Sequence, residues 1–144
     1  MMVSLQKTRT NERAEFLSDM LVTFVENYGA LSWFGTDVYT VNDDGFATRA
    51  VIVDDDDRRH VVDLDTIVHG IGIIRNAVLR VDAKYPDDGE VLHNAKTGQR
   101  LYVSRDMRDR ILLANRDYDE AVNLDSVDAS AIVECALFGK VVYA

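Results

Sequence analysis

The residues best suited to chemistry fall in one short stretch, His60, Asp63, Asp65 and His69. Imidazoles and carboxylates so close in sequence can ligate a divalent metal or share acid–base work. They define one reading of the chain, a small metal-dependent enzyme or nucleotide-binding module. Their expected placement favours a plainer role. His60 falls in a strand-like segment, Asp63 and Asp65 point to different sides of a helix start, and His69 lies a full turn further on. Asp63 as a helix cap, and Asp65 beside the positive end of the helix dipole, need no other function.

The other candidates are weaker. Asp54, Asp55, Asp56 and Asp57 could hold calcium, but an EF-hand loop alternates its ligands around a central glycine and closes on a glutamate. Here Arg58 and Arg59 follow instead. A solvated turn or an electrostatic contact surface fits the run better. Gly70-Ile71-Gly72 has neither spacing of a phosphate loop. Cys135 could pair with His93 or His69 as a nucleophile, yet it sits in an apolar helix-like strip and no elbow motif frames any serine. Arg105, Arg108, Arg110 and Arg116 interleave with Asp106, Asp109, Asp117 and Asp119, as on a salt-bridged solvent face. We expect no catalytic, cofactor or metal residues.

Charge is more informative. Sixteen Lys and Arg stand against 25 Asp and Glu, a formal −9, and between Asp37 and Asp65 nine acids face three bases. A field of that sign repels phosphate backbones and anionic membranes. Direct nucleic-acid binding and a membrane partner are therefore not expected, whereas a basic protein partner is. The lone cysteine allows no internal disulfide. No signal-peptide core or run of about 18 apolar residues is visible, so a cytoplasmic location is expected.

The positioning elements can be read from periodicity and punctuation. Phe16, Met20, Leu21, Phe24, Val25 and Tyr28 make an apolar helical stripe capped by Thr10 or Asn11. Leu31–Phe34, Asp37–Val41 and Ala47–Val53 are β-rich around an Asp44-Gly45 turn, and Arg59–Val62 supplies a third antiparallel strand, with the acidic tetrad at the intervening tip. Asp63 caps a second helix with the stripe Ile67, Ile71, Ile74 and Val78. Gly70 and Gly72 inside it imply the close approach of a neighbouring backbone. Glu90–His93 and Gln99–Val103 suggest a second hairpin. Ser104 caps a helix carrying an Asp106–Arg110 pair, and Asp128 caps a last helix with Val127 and Ile132 as a staple and Gly139 past its end. Val141–Tyr143 reads as a closing strand.

The fold class is thus α+β, an antiparallel sheet of two hairpins packed with about four helices. At 144 residues we expect a single domain, 1–144, with residues 1–9 a disordered tail.

Phe16–Leu21 with Trp33 downstream, Val62–Ile67 followed by Gly70-Ile71, and Asp128–Val133 running into Ala136–Gly139 and Val141–Tyr143 together resemble a family of small uncharacterised proteins of actinobacteria and their phages. That family has no assigned activity. The resemblance implies a phage or mobile-element origin, a setting where small acidic proteins bind host proteins. The leading expectation is a non-enzymatic accessory protein acting by protein–protein contact, an acidic inhibitor of a basic or nucleic-acid-binding host protein that mimics DNA charge. Its contact residues would be Asp43, Asp44, Asp54, Asp55, Asp56 and Asp57, with Trp33 and Phe34 as an apolar patch, although a strand alternating into the core accounts for Trp33, Phe34 and Tyr39 better. A further alternative is a structural homo-oligomer in which the surface around Trp33 and Phe34 meets its own copy.

Overall fold

The computed structural model describes residues 10–143, so the expected tail at residues 1–9 lies outside the described residues. The elements run α1 (Asn11–Val25), β1 (Phe34–Val41), β2 (Ala47–Asp54), β3 (Arg59–Asp63), α2 (Leu64–Arg75), β4 (Val78–Val81), β5 (Glu90–His93), α3 (Arg105–Arg116) and α4 (Ser126–Phe138). The α+β expectation holds. The strands form two antiparallel sheets, β1-β2-β3 and β4-β5, where one sheet of two hairpins was expected.

Local chemistry sets most boundaries. Thr10 caps α1 by accepting from the Arg13 amide. Phe16, Leu17, Met20, Leu21 and Phe24 are buried along it, whereas Tyr28 is 99% exposed beyond its end at φ 53°. Asp63 and Thr66 form a reciprocal capping box at the start of α2. Arg108 of α3 satisfies the other end of α2, donating to the carbonyls of Ile74 and Arg75.

Four expectations need correction. The α2 stripe stops at Ile74, and Val78 opens β4, which pairs Val78 with His93 and Val81 with Glu90. Residues 99–103 do not form the partner strand of β5. Tyr102 adopts φ 62°, which breaks the extended run, and the two segments meet through a His93–Arg100 bridge and hydrogen bonds from Leu101 N–H to Leu92 O and from Asn94 N–H to Gln99 O. The cap of α4 is Asp125, with Asp128 three residues inside it closing the capping box, so the staple falls on Leu124 and Ala129 while Val127 is half exposed. Val141–Tyr143 is not a strand, although Val141 N–H does donate to Leu101 O.

The core is one cluster organised around α4, whose residues Asp128 to Cys135 are all buried. A helix buried on every side has neighbours all round; α1 and α2 pack on it directly, and the inner residues Ala50 and Ile52 of β2 share its core. Gly70 makes the α2–α4 crossing possible, since a Cβ there would lie 2.0 Å from the Ile132 carbonyl oxygen. Gly72 has no such neighbour, its nearest being the Arg75 guanidinium at 3.9 Å. The close approach expected at both glycines is therefore real at one.

The two glycines should respond with opposite signs. Gly70→Ala drives a methyl into backbone and is expected to destabilise by about 2–3 kcal/mol, as overpacking does. Gly72→Ala removes unfolded-chain entropy without a clash and is expected to stabilise by about 0.5–1 kcal/mol. Urea unfolding of both variants measures this, and equal shifts would refute the crossing geometry.

Candidate functional site

Both hairpin tips of the three-stranded sheet are built the same way. Asn42 accepts at Oδ1 from the amides of Asp44 (3.0 Å) and Phe46 (2.9 Å), and Asp54 accepts at Oδ1 from those of Asp56 (2.9 Å) and Arg58 (3.0 Å). In each turn a short polar side chain folds the backbone over itself. The fourth residue takes positive φ, Gly45 at 84° and Asp57 at 61°, a conformation Asp tolerates better than most residues.

Asp54 has a second role that Asn42 lacks. Its side chain is only 1% exposed, and its Oδ2 accepts from His60 Nε2 at 2.8 Å across the β2–β3 pair. The His60 ring stands edge-on to Phe138 at 5.4 Å between centroids. That contact joins the tip to an aromatic cluster in which Trp33 stacks on Tyr143 (4.7 Å, 3°) and Phe34 on Phe24 (4.4 Å, 15°). The hydrogen bond from His60, aided by the two backbone amides and opposed by burial, holds the Asp54 carboxyl below its ordinary 3.8.

These positions revise the contact surface read from sequence. Trp33 is 4% exposed and donates through Nε1 to Ser130 Oγ, so it belongs to the core. Phe34 is half buried against Phe24. Of the pair read as a self-association surface, Trp33 is withdrawn into the core and Phe34 keeps part of its surface exposed. Asp54 faces inward, while Asp43, Asp44, Asp55, Asp56 and Asp57 are exposed. The exposed acids form two groups at opposite ends of β2, because Phe34 pairs with Asp54 and Val41 with Ala47. Eight residues of strand separate them by roughly 26 Å.

Between the two acidic tips lies a feature the sequence reading missed. Val38, Val51 and Val61 are direct cross-strand partners on β1, β2 and β3. Val38 and Val61 are 41% and 46% exposed, and Val51 is shielded yet lies outside the core cluster. The row therefore crosses the outer face of the sheet. Asp37 of β1 and Arg59 of β3 pair at 2.6 Å. Only the register shows that three separate valines make one row.

The cluster first singled out for chemistry is dispersed. His60 bonds Asp54, Asp63 caps α2, and His69 lines a shallow cleft with Gly72, Asn94 and Lys96. Among the described residues no three His, Cys, Asp or Glu side chains are placed to hold a metal ion. Cys135 is buried, and burial, with the charge of Glu134 second, pushes its thiol up to about 12. It is a core residue, not a nucleophile. Arg110, expected to pair with Asp106, instead reaches Asp128 on α4 at 2.8 Å. No family model, curated protein or solved structure matches the chain. No helix among the described residues is long and apolar enough to cross a membrane.

A carboxyl with a folded pKa below its unfolded value adds stability above the unfolded value, and that stability is lost as pH falls through the folded one. Asp54→Asn should therefore lower Tm at neutral pH, with the gap to the parent closing as pH falls below 3.8. Thermal melts across this range read it, and a gap independent of pH would assign the loss to packing alone.

Proposed function

We propose that the protein is a non-enzymatic accessory protein of phage or mobile-element type that binds a basic host protein in the host cytoplasm. The supporting observation is the outer face of the three-stranded sheet, where the Val38–Val51–Val61 row lies between the acidic tips at Asp43-Asp44 and Asp55–Asp57. Protein interfaces combine an apolar centre with a polar rim. Carboxylates on tight turns add the steering that speeds encounter with a cationic partner. The phage or mobile-element assignment rests on the sequence resemblance alone.

The same layout shapes the form of the contact. Two acidic groups separated by an apolar row suit a partner that presents basic residues around an apolar patch. A continuous imitation of DNA charge would place carboxylates along the whole face, where this sheet has valines.

Substituting Asp55, Asp56 and Asp57 together by Asn keeps the turn, since Asn also tolerates positive φ at position 57. In affinity capture from host lysate with nuclease present, the triple variant is expected to lose the proteins the parent retains. Raising salt to about 0.5 M should release them from the parent, because exposed charges are screened. A captured set unchanged by either treatment would sink the electrostatic reading. A separate Val61→Lys variant tests the apolar centre, with the same loss expected.

A further inference from the structure

On α4, beneath the C-terminal segment, Glu134 is 2% exposed, and its surroundings are unusual for a buried carboxylate. Oε2 accepts from Ser130 Oγ at 2.7 Å, and Oε1 accepts from the amides of Val142 (2.9 Å) and Tyr143 (2.6 Å). Three of roughly four acceptor positions are filled, all by neutral donors. No Lys, Arg or His among the described residues lies within ion-pair distance of it. A buried charge normally has a counter-ion, because leaving water without one is costly.

Glu134 and Ser130 also line a pocket of about 180 Å³. Its other walls are mostly apolar, with Leu31, Met107 and Val127 among them, and Tyr143 and Tyr102 complete the lining. Tyr102 takes positive φ, a rare state for a bulky residue and one that clusters at ligand sites. At roughly 30 Å³ per water, the space equals about six waters, enough for a short aliphatic chain.

We infer that this pocket binds an aliphatic primary ammonium group, with Glu134 as its counter-charge and the apolar and tyrosine walls around its stem. The ammonium donates to the carboxylate position the protein leaves open, a charge-assisted hydrogen bond. Tyr143 of its wall lies within electrostatic reach of Asp54, Asp55 and Asp56, but the inference does not rest on the proposed role of the sheet face. The ammonium can belong to a free alkylamine or to a lysine side chain.

The protein carries its own reporter. Trp33, the single tryptophan, bonds Ser130 and stacks on Tyr143, both of which line the pocket. Titration with n-butylammonium, and in parallel with Nα-acetyl-lysine amide, should change Trp33 emission saturably. Response to either ammonium supports the inference, and the tighter one names the source. The neutral alcohol 1-pentanol should bind at least about tenfold more weakly, the scale of one lost charge-assisted hydrogen bond. Glu134→Gln should lose a similar factor for the amine. If that variant fails to fold, Val127→Phe decides, because Val127 is half exposed on the first turn of α4 and a larger side chain there blocks the pocket without entering the core. Silence of the parent toward both ammonium probes, equal binding of amine and alcohol, or unchanged binding by Val127→Phe would overturn the assignment.

Discussion

The architecture depends on the contact between Gly70 and the Ile132 carbonyl. Any side chain at position 70 would meet the α4 backbone, so the two helices lie as close as they do only because one has no Cβ at the crossing. That proximity encloses α4. Ile67, Ile71 and Ile74 of α2 join Phe16, Leu17, Met20, Leu21 and Phe24 of α1 in the core that contains its buried residues. Conformational freedom that makes glycine a poor helix residue is here outweighed by the packing it permits.

Enclosure of α4 forces its polar residues to find partners in the interior, and each has done so. Asp128 closes the capping box and takes Arg110, Ser130 links Trp33 to Glu134, and Glu134 holds the amides that follow Val141. No buried side-chain nitrogen or oxygen among the described residues lacks a hydrogen-bond partner. Hydrogen bonding and charge balance are nevertheless different conditions. Glu134 meets the first through neutral donors and leaves the second open.

The three-stranded sheet presents its other face outward, and its edges are managed. β1 is interrupted by two register shifts, between Thr36 and Val38 and between Thr40 and Val41, while β3 is five residues long and passes straight into α2. Bulged and short edges resist pairing with another chain. Recognition by this sheet therefore falls to side chains on its face and tips. Asp54 ties one tip to the body through His60 and Phe138, so the carboxylates of Asp55, Asp56 and Asp57 stand on an anchored support.

Features governed by neighbours in sequence were legible without the structure. Asp63 and Ser104 cap their helices as read, Thr10 is one of the two caps read for α1, and the β1-β2-β3 order follows from β-branched runs around two acidic turns. These depend on a backbone amide two to four residues away, so the residue type alone nearly decides them. At α4 the cap falls on Asp125 and not on Asp128 as expected, and Asp128 closes the capping box from N3 while also taking Arg110. Pairing of β4 with β5, the joining of His60 to Asp54 and the alignment of Val38, Val51 and Val61 were decided only by tertiary structure. Each depends on which distant segment arrives alongside. A side chain becomes a site, a core residue or a turn according to that arrival, because burial and hydrogen-bond partners are properties of the packed chain and not of the residue.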